Sequence, residues 1–152
     1  MKKFIILLLF TSVSKFLNAQ DAINIDMVFN HVSLSVKDVN VSADFYQHVF
    51  NLNEIVNRTK VDGIRWFSLG EDKELHLISV VKGDVTINKA VHFALTTPTF
   101  DEFIANLKRM DTPYSGWAGE ENKITIRADG IHQVYVQDPD GYWIEVNSVA
   151  QL

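Results

Sequence analysis

Four residues of this 152-residue chain have metal-binding side chains and stand in matched places: His31, His76, His92 and Glu145. His31-Val-Ser-Leu-Ser-Val36 parallels His92-Phe-Ala-Leu-Thr-Thr97, and His76-Leu-Ile-Ser-Val80 parallels Glu145-Val-Asn-Ser-Val149. An internal repeat thus carries a donor at the same two positions of each half, which scattered histidines would not do. Three imidazoles and one carboxylate suit a borderline divalent ion, Zn, Ni, Fe or Mn, with coordination positions left for water or substrate. Such an ion acts as a Lewis acid on a carbonyl or enolate oxygen. Glu145, the one carboxylate of the four, is the expected catalytic residue, moving the proton. Glu74 shares its strand face with His76 and reads as a solvated strand end. His48 and His132 fall outside the repeat pattern and are expected to stand apart from the site.

Those donors need strands that point them one way and apolar residues the other. Residues 30–36 alternate strictly, with Val32, Leu34 and Val36 on one face and His31, Ser33 and Ser35 on the other. A helix follows, with Asn40 as the expected N-cap and Val41, Phe45, Tyr46, Val49 and Phe50 as its apolar stripe. Three strands are expected next, at about 53–60, 64–69 and 74–81. The cycle then repeats. A strand at 91–96 precedes a helix opened by the Thr99-Phe-Asp-Glu102 capping box, with Phe100, Phe103, Ile104 and Leu107 on one face. A Gly/Trp-rich passage leads to strands near 123–127, at 132–137 and at 142–149, the last two joined by an Asp138-Pro-Asp-Gly141 turn. The expected fold is α+β: two tandem βαβββ modules, about 27–82 and 88–150, forming a curved, cup-shaped mixed sheet with helices outside. Inside the cup Ser33, Ser35, Thr96 and Trp143 would flank the donors and contact substrate, the small ones leaving room for it.

Composition bounds the partners. Residues 1–19 read as a signal peptide, with a basic Met1-Lys2-Lys3 start and a seven-residue apolar run, Phe4 to Phe10, too short to span a bilayer. Cleavage after Ala19 removes Lys2, Lys3 and Lys15, and the remaining 11 basic against 19 acidic residues give a charge of −8. The expectation is a single domain over 20–152, exported to a periplasm or the medium and free of the membrane once cleaved. An acidic domain with no basic run is no nucleic-acid binder. With no cysteine, neither a disulfide nor a lipid-modified thiol can contribute.

The two repeats, the His31 start, the helix reading Ser42-Ala-Asp-Phe-Tyr46 and the ending Asp138-Pro-Asp-Gly-Tyr-Trp-Ile-Glu145 resemble the vicinal oxygen chelate superfamily, over about residues 27–150. That superfamily includes glyoxalase I, bleomycin and fosfomycin resistance proteins and extradiol dioxygenases. The resemblance implies a sheet enclosing a metal and a substrate that chelates it through two adjacent oxygens. It is closest to glyoxalase I, whose bacterial members carry His, Glu, His and Glu at these four places; here the second is His76. Their glutathione-holding Arg and Asn correspond to Ser35 and Val80, so the implied activity is that of a glutathione-independent lyase or isomerase. Two alternatives stay open: an extradiol-type Fe(II) dioxygenase using His31, His92 and Glu145, and a drug-binding protein stacking a planar ligand on Trp66, Phe67, Trp117 or Trp143. A homodimer is compatible with either use, since many relatives form one.

Overall fold

Alternation of apolar and polar side chains is what splits each sheet into a helix-covered face and a polar one. The computed structural model describes residues 27–149, so the expected signal peptide lies outside the described residues. The first module runs β1 (His31–Ser35), α1 (Val39–Phe50), β2 (Glu54–Ile55), β3 (Ile64–Gly70) and β4 (Lys73–Ile78). The second runs β5 (His92–Thr97), α2 (Phe100–Arg109), β6 (Tyr114–Ser115), β7 (Thr125–Ile126), β8 (His132–Gln137) and β9 (Trp143–Ser148). Hydrogen bonding divides the strands into a four-stranded sheet ordered β1-β4-β3-β2 and a five-stranded sheet ordered β5-β9-β8-β6, with β7 beside β6 along β8. In each, the first strand lies parallel to the last of its module: His31 to Ser35 alongside Glu74 to Ile78, and His92 to Thr97 alongside Trp143 to Ser148. The expected α+β architecture of two tandem modules is present.

Local chemistry sets the element ends, and it departs from expectation in four places. Asp38, not Asn40, caps α1: its Oδ1 accepts from the backbone N–H of Asn40 at 2.8 Å and of Val41 at 3.3 Å. Val41 faces outward, 52% exposed, and the buried side of the helix is Val39, Ser42, Ala43, Tyr46 and Val49. Thr99 is the N-cap of α2, yet its hydroxyl makes no cap bond; Thr97 Oγ1 accepts from the Thr99 N–H instead. The run at 53–60 pairs only through Glu54 and Ile55, and the Gly/Trp-rich passage opens with β6, a short strand that the turn-rich sequence conceals.

One hydrophobic core serves both modules. Leu34, Tyr46, Val49, Phe67, Leu75 and Leu77 of the first join Ile104, Leu107, Val134, Val136, Ile144 and Val146 of the second in a continuous cluster. Polar contacts fasten it. Tyr46 donates its hydroxyl to Asp138 Oδ2 at 2.9 Å, Ser42 Oγ donates to Asp140 Oδ2 at 2.8 Å, and the Lys37 N–H reaches Asp140 Oδ1 at 2.9 Å. The Tyr142 hydroxyl accepts from the Ser35 N–H and donates to its carbonyl, both at 3.1 Å, while Asn106 Nδ2 donates to Val49 O at 3.2 Å. Burial is the main force raising the Tyr46 phenol well above its usual range, reinforced by the negative charge of Asp138.

Candidate functional site

With the helix-side faces committed to the core, the chemistry sits on the opposite faces, in two groups. The first belongs to β1, β3 and β4. Register puts Ser33 and Trp66 beside His76, and the side chains stack: Trp66 on His76 with ring centroids 4.1 Å apart and 7° between planes, His76 on His31 at 4.4 Å and 16°. Arg58 extends the pile, its guanidinium 5.4 Å from the Trp66 centroid. Glu74 closes it, accepting from Arg58 and lying 2.8 Å from His76 Nε2. The bond from His76, helped by the Arg58 charge, holds the Glu74 carboxyl below its usual range. Glu74 is therefore a partner of His76, not a solvated strand end. His31 Nδ1 lies 2.7 Å from Asn30 Oδ1, and the residue is exposed.

The second group belongs to β5, β8 and β9. His92 Nε2 lies 3.2 Å from Glu145 Oε2, and His92 Nδ1 donates to the Lys89 carbonyl at 2.8 Å. Tyr135, opposite Glu145 in the sheet register, donates its hydroxyl to the same Oε2 and accepts from Gln133 Nε2 at 3.3 Å. Burial first, and the Glu145 bond second, push the Tyr135 phenol above its usual range. Tyr135 meets the His92 ring edge-on at 5.5 Å, with Trp117 5.5 Å from Tyr135. The Lys89 ammonium sits 4.6 Å from the ring centroids of both Tyr135 and Trp143 and donates to Ser115 Oγ at 3.0 Å and to the Gly116 carbonyl. Desolvation there lowers the affinity of Lys89 for its proton. One strand step beyond Glu145, Asn147 is buried, and its Oδ1 has no hydrogen-bond partner among the described residues.

These groups meet the demands of a metal unequally. Two donors each about 2.1 Å from one ion, at angles between 90° and the tetrahedral value, stand roughly 3.0–3.4 Å apart. The His92–Glu145 separation falls inside that window, and a carbonyl on the outer nitrogen of His92 is what fixes a ligating imidazole. His76 does not fit. Its Nε2 is committed to Glu74, and near-parallel stacking on His31 keeps the two rings' lone pairs from converging on a point. Among the described residues no three His, Asp or Glu side chains gather as a metal site requires. The expected quartet is thus split into a pair on each sheet.

The remaining expected residues divide similarly. Ser33, exposed, neighbours His76, and Trp143 neighbours His92. Ser35 and Thr96 lie four residues along their strands from His31 and His92, about 13 Å away at strand rise. The Ser35 backbone is taken by Tyr142. Phe67 is fully buried in the core and offers no stacking surface, whereas Trp117 is 50% exposed. His132 packs on Phe100, on the helix side, and His48 is exposed. Sequence reasoning missed Tyr135, Lys89 and Arg58. The alternation through 132–137 does place Tyr135 on the Glu145 face, but nothing in the sequence pairs them.

The fold has counterparts among solved structures. The chain is 28% identical over 122 residues to the uncharacterized protein YwbC of Bacillus subtilis (strain 168), covering 76% of this chain and 93% of that one. The solved structure of oxidase ChaP-H2 superposes with a TM-score of 0.68 at 18% identity, over 82% of this chain and 95% of that one. That of lactoylglutathione lyase from Agrobacterium tumefaciens gives 0.62 at 20% identity, over 81% and 94%. Residues 28–146, both modules and both polar faces included, match the profile of the glyoxalase/bleomycin resistance protein/dioxygenase superfamily, and the chain belongs to that superfamily.

Proposed function

We propose that the chain is an exported, metal-dependent enzyme, a glyoxalase-like lyase or isomerase that takes a small substrate with two adjacent oxygens and does not require glutathione. The observation that carries this reading is the His92–Glu145 pair, spaced at 3.2 Å, with Lys89 O fixing one partner and Tyr135 the other. The ion, Zn, Ni, Fe or Mn, would supply Lewis acidity towards the substrate oxygens. His92 and Glu145 would hold it together with His31, which is exposed and whose Nδ1 is taken by Asn30. Tyr135 orients the Glu145 carboxylate, leaving Oε1 for a proton from the substrate.

We further propose that His31 reaches the site from a second copy of the chain. Both polar faces lie opposite the apolar faces that the shared core takes. β1 and β5 each pair on one side only among the described residues and present exposed Ser33, Ala94 and Thr96. A second reading, an extradiol-type Fe(II) dioxygenase, is favoured by one observation. With His76 committed to Glu74, the donors left are two histidines and one carboxylate, a set that suits non-haem Fe(II) oxygenases.

Elemental analysis of the purified protein beside a His92→Ala/Glu145→Ala double variant tests the metal. About one equivalent per site, lost in the variant, is expected. No metal in either, after reconstitution with Zn, Ni, Mn and anaerobic Fe(II), overturns the enzyme reading in favour of a binding protein. Oxygen-dependent consumption of catechol by the Fe(II)-loaded protein selects the dioxygenase.

A further inference from the structure

Lys89, just before β5, touches the second group at three of its rings: His92, Tyr135 and Trp143. Its carbonyl holds His92, and its ammonium lies over the rings of Tyr135 and Trp143, which project from the face that bears Glu145. The ammonium is therefore on the site face. It has three N–H donors. Ser115 Oγ and the Gly116 carbonyl account for two. No carboxylate pairs with it among the described residues, since Glu120, the acid whose charge it feels, bonds Lys123 at 2.7 Å. Partly desolvating a cation without a counter-ion is costly, and ring faces offset that cost only in part. A lysine serving merely as a strut could spend its charge on a nearby acid; this one keeps a charge and a third donor on the site face.

We propose that Lys89 is an anion-recognition residue, and that the substrate of the His92–Glu145 site is a small organic anion whose carboxylate or equivalent oxyanion group pairs with its ammonium. This assignment rests on the reading of that site as a substrate-binding one, but it does not require a bound metal. It also gives Tyr135 and Trp143 a second task, holding the ammonium in place for an incoming charge.

The test uses salicylate and salicylamide, which share a planar ring and an ortho hydroxyl and differ in charge, against the full mature chain stripped of metal with EDTA. By calorimetry the wild type is expected to bind salicylate about tenfold more tightly than salicylamide, as a charge-assisted contact predicts. Lys89→Met should abolish the preference and leave salicylamide affinity alone, whereas Lys89→Arg should keep it. Equal binding of the two probes by the wild type, binding of neither, or a preference that survives in Lys89→Met overturns the proposal. Should Lys89→Met not fold, salt decides on the wild type: raising NaCl from 50 to 500 mM must weaken salicylate and spare salicylamide, and equal sensitivity overturns the proposal. Zn2+ binding is titrated separately. Its absence would defeat the metal-dependent reading while leaving the anion result standing.

Discussion

At the residue scale, Glu145 is held by Tyr135 and faced by His92, and each contact makes a distinct demand on substitution. Tyr135→Phe keeps the ring against Trp117 but deletes the donor to Glu145. It is expected to weaken Zn2+ binding about 10–100-fold, the usual effect of losing a group that orients a ligand, as read by competition with a chelator. His76→Phe keeps an aromatic ring between Trp66 and His31 while removing both nitrogens. Because His76 is spoken for by Glu74, Zn2+ stoichiometry should be unchanged in this variant and lost in His92→Ala; loss in both would return His76 to the ligand set. The repeat in the sequence singled out all four donors, since their spacing is a property of strands and strands alternate. What it could not convey was the fate of His76, because Arg58, Trp66 and Glu74 reach it by side-chain stacking across three separate segments, which no periodicity encodes.

At the scale of elements, the strands and helices were legible wherever alternation or helical spacing ran for five residues or more, as in β1, β5, β8 and α2. Short elements were read at the wrong length or missed: β2 keeps two residues of the run expected at 53–60, and β6, also two residues, had no expected strand, each depending on β3 or β8 for its partner. The start of α1 was misplaced because Asp38 and Asn40 are both good caps and only the backbone angle at 38 decides. The structure therefore predicts an asymmetry. Asp38→Ala should cost about 1 kcal/mol in chemical denaturation, the usual loss on removing an N-cap. Asn40→Ala, which gives up only an exposed bond to Arg65, should cost a few tenths at most. Equal losses would move the cap back to Asn40.

For the whole molecule, three of the polar contacts between modules, from Tyr46, Ser42 and Lys37, converge on Asp138 and Asp140, so the turn that reads as a simple strand connector also fastens β9 to α1. Asp138 is buried, and that burial raises its carboxyl above the ordinary value of about 3.9 despite bonds from Tyr142, Tyr46 and Asp140. A raised acid contributes stability that is complete below its unfolded pKa and disappears as pH climbs through the folded one. The Asp138 contribution to thermal stability should accordingly rise as pH falls from 7 towards that window. Asp138→Asn, in which the Tyr46 hydroxyl can turn from donor to acceptor, should flatten the rise; an unchanged slope would assign it to other groups. Assembly is tested by refolding a mixture of His31→Ala and His92→Ala chains. If each site draws His31 from one copy and His92 from the other, random pairing restores about a quarter of the metal sites; a site completed within one chain restores none.

The common core also has a consequence for biosynthesis. The first module can close its sheet once β4 has left the ribosome, because β1 pairs with β4 and with nothing later. Its helix-side surface, however, has only partial cover, from α2 and β8, until β9, some 65 residues further on, emerges to complete the second sheet. For that interval a folded half-protein must display Tyr46, Val49 and their neighbours to the cell, the kind of transient apolar surface that chaperones bind. Chains stalled between the two modules should therefore be aggregation-prone despite having a finished sheet.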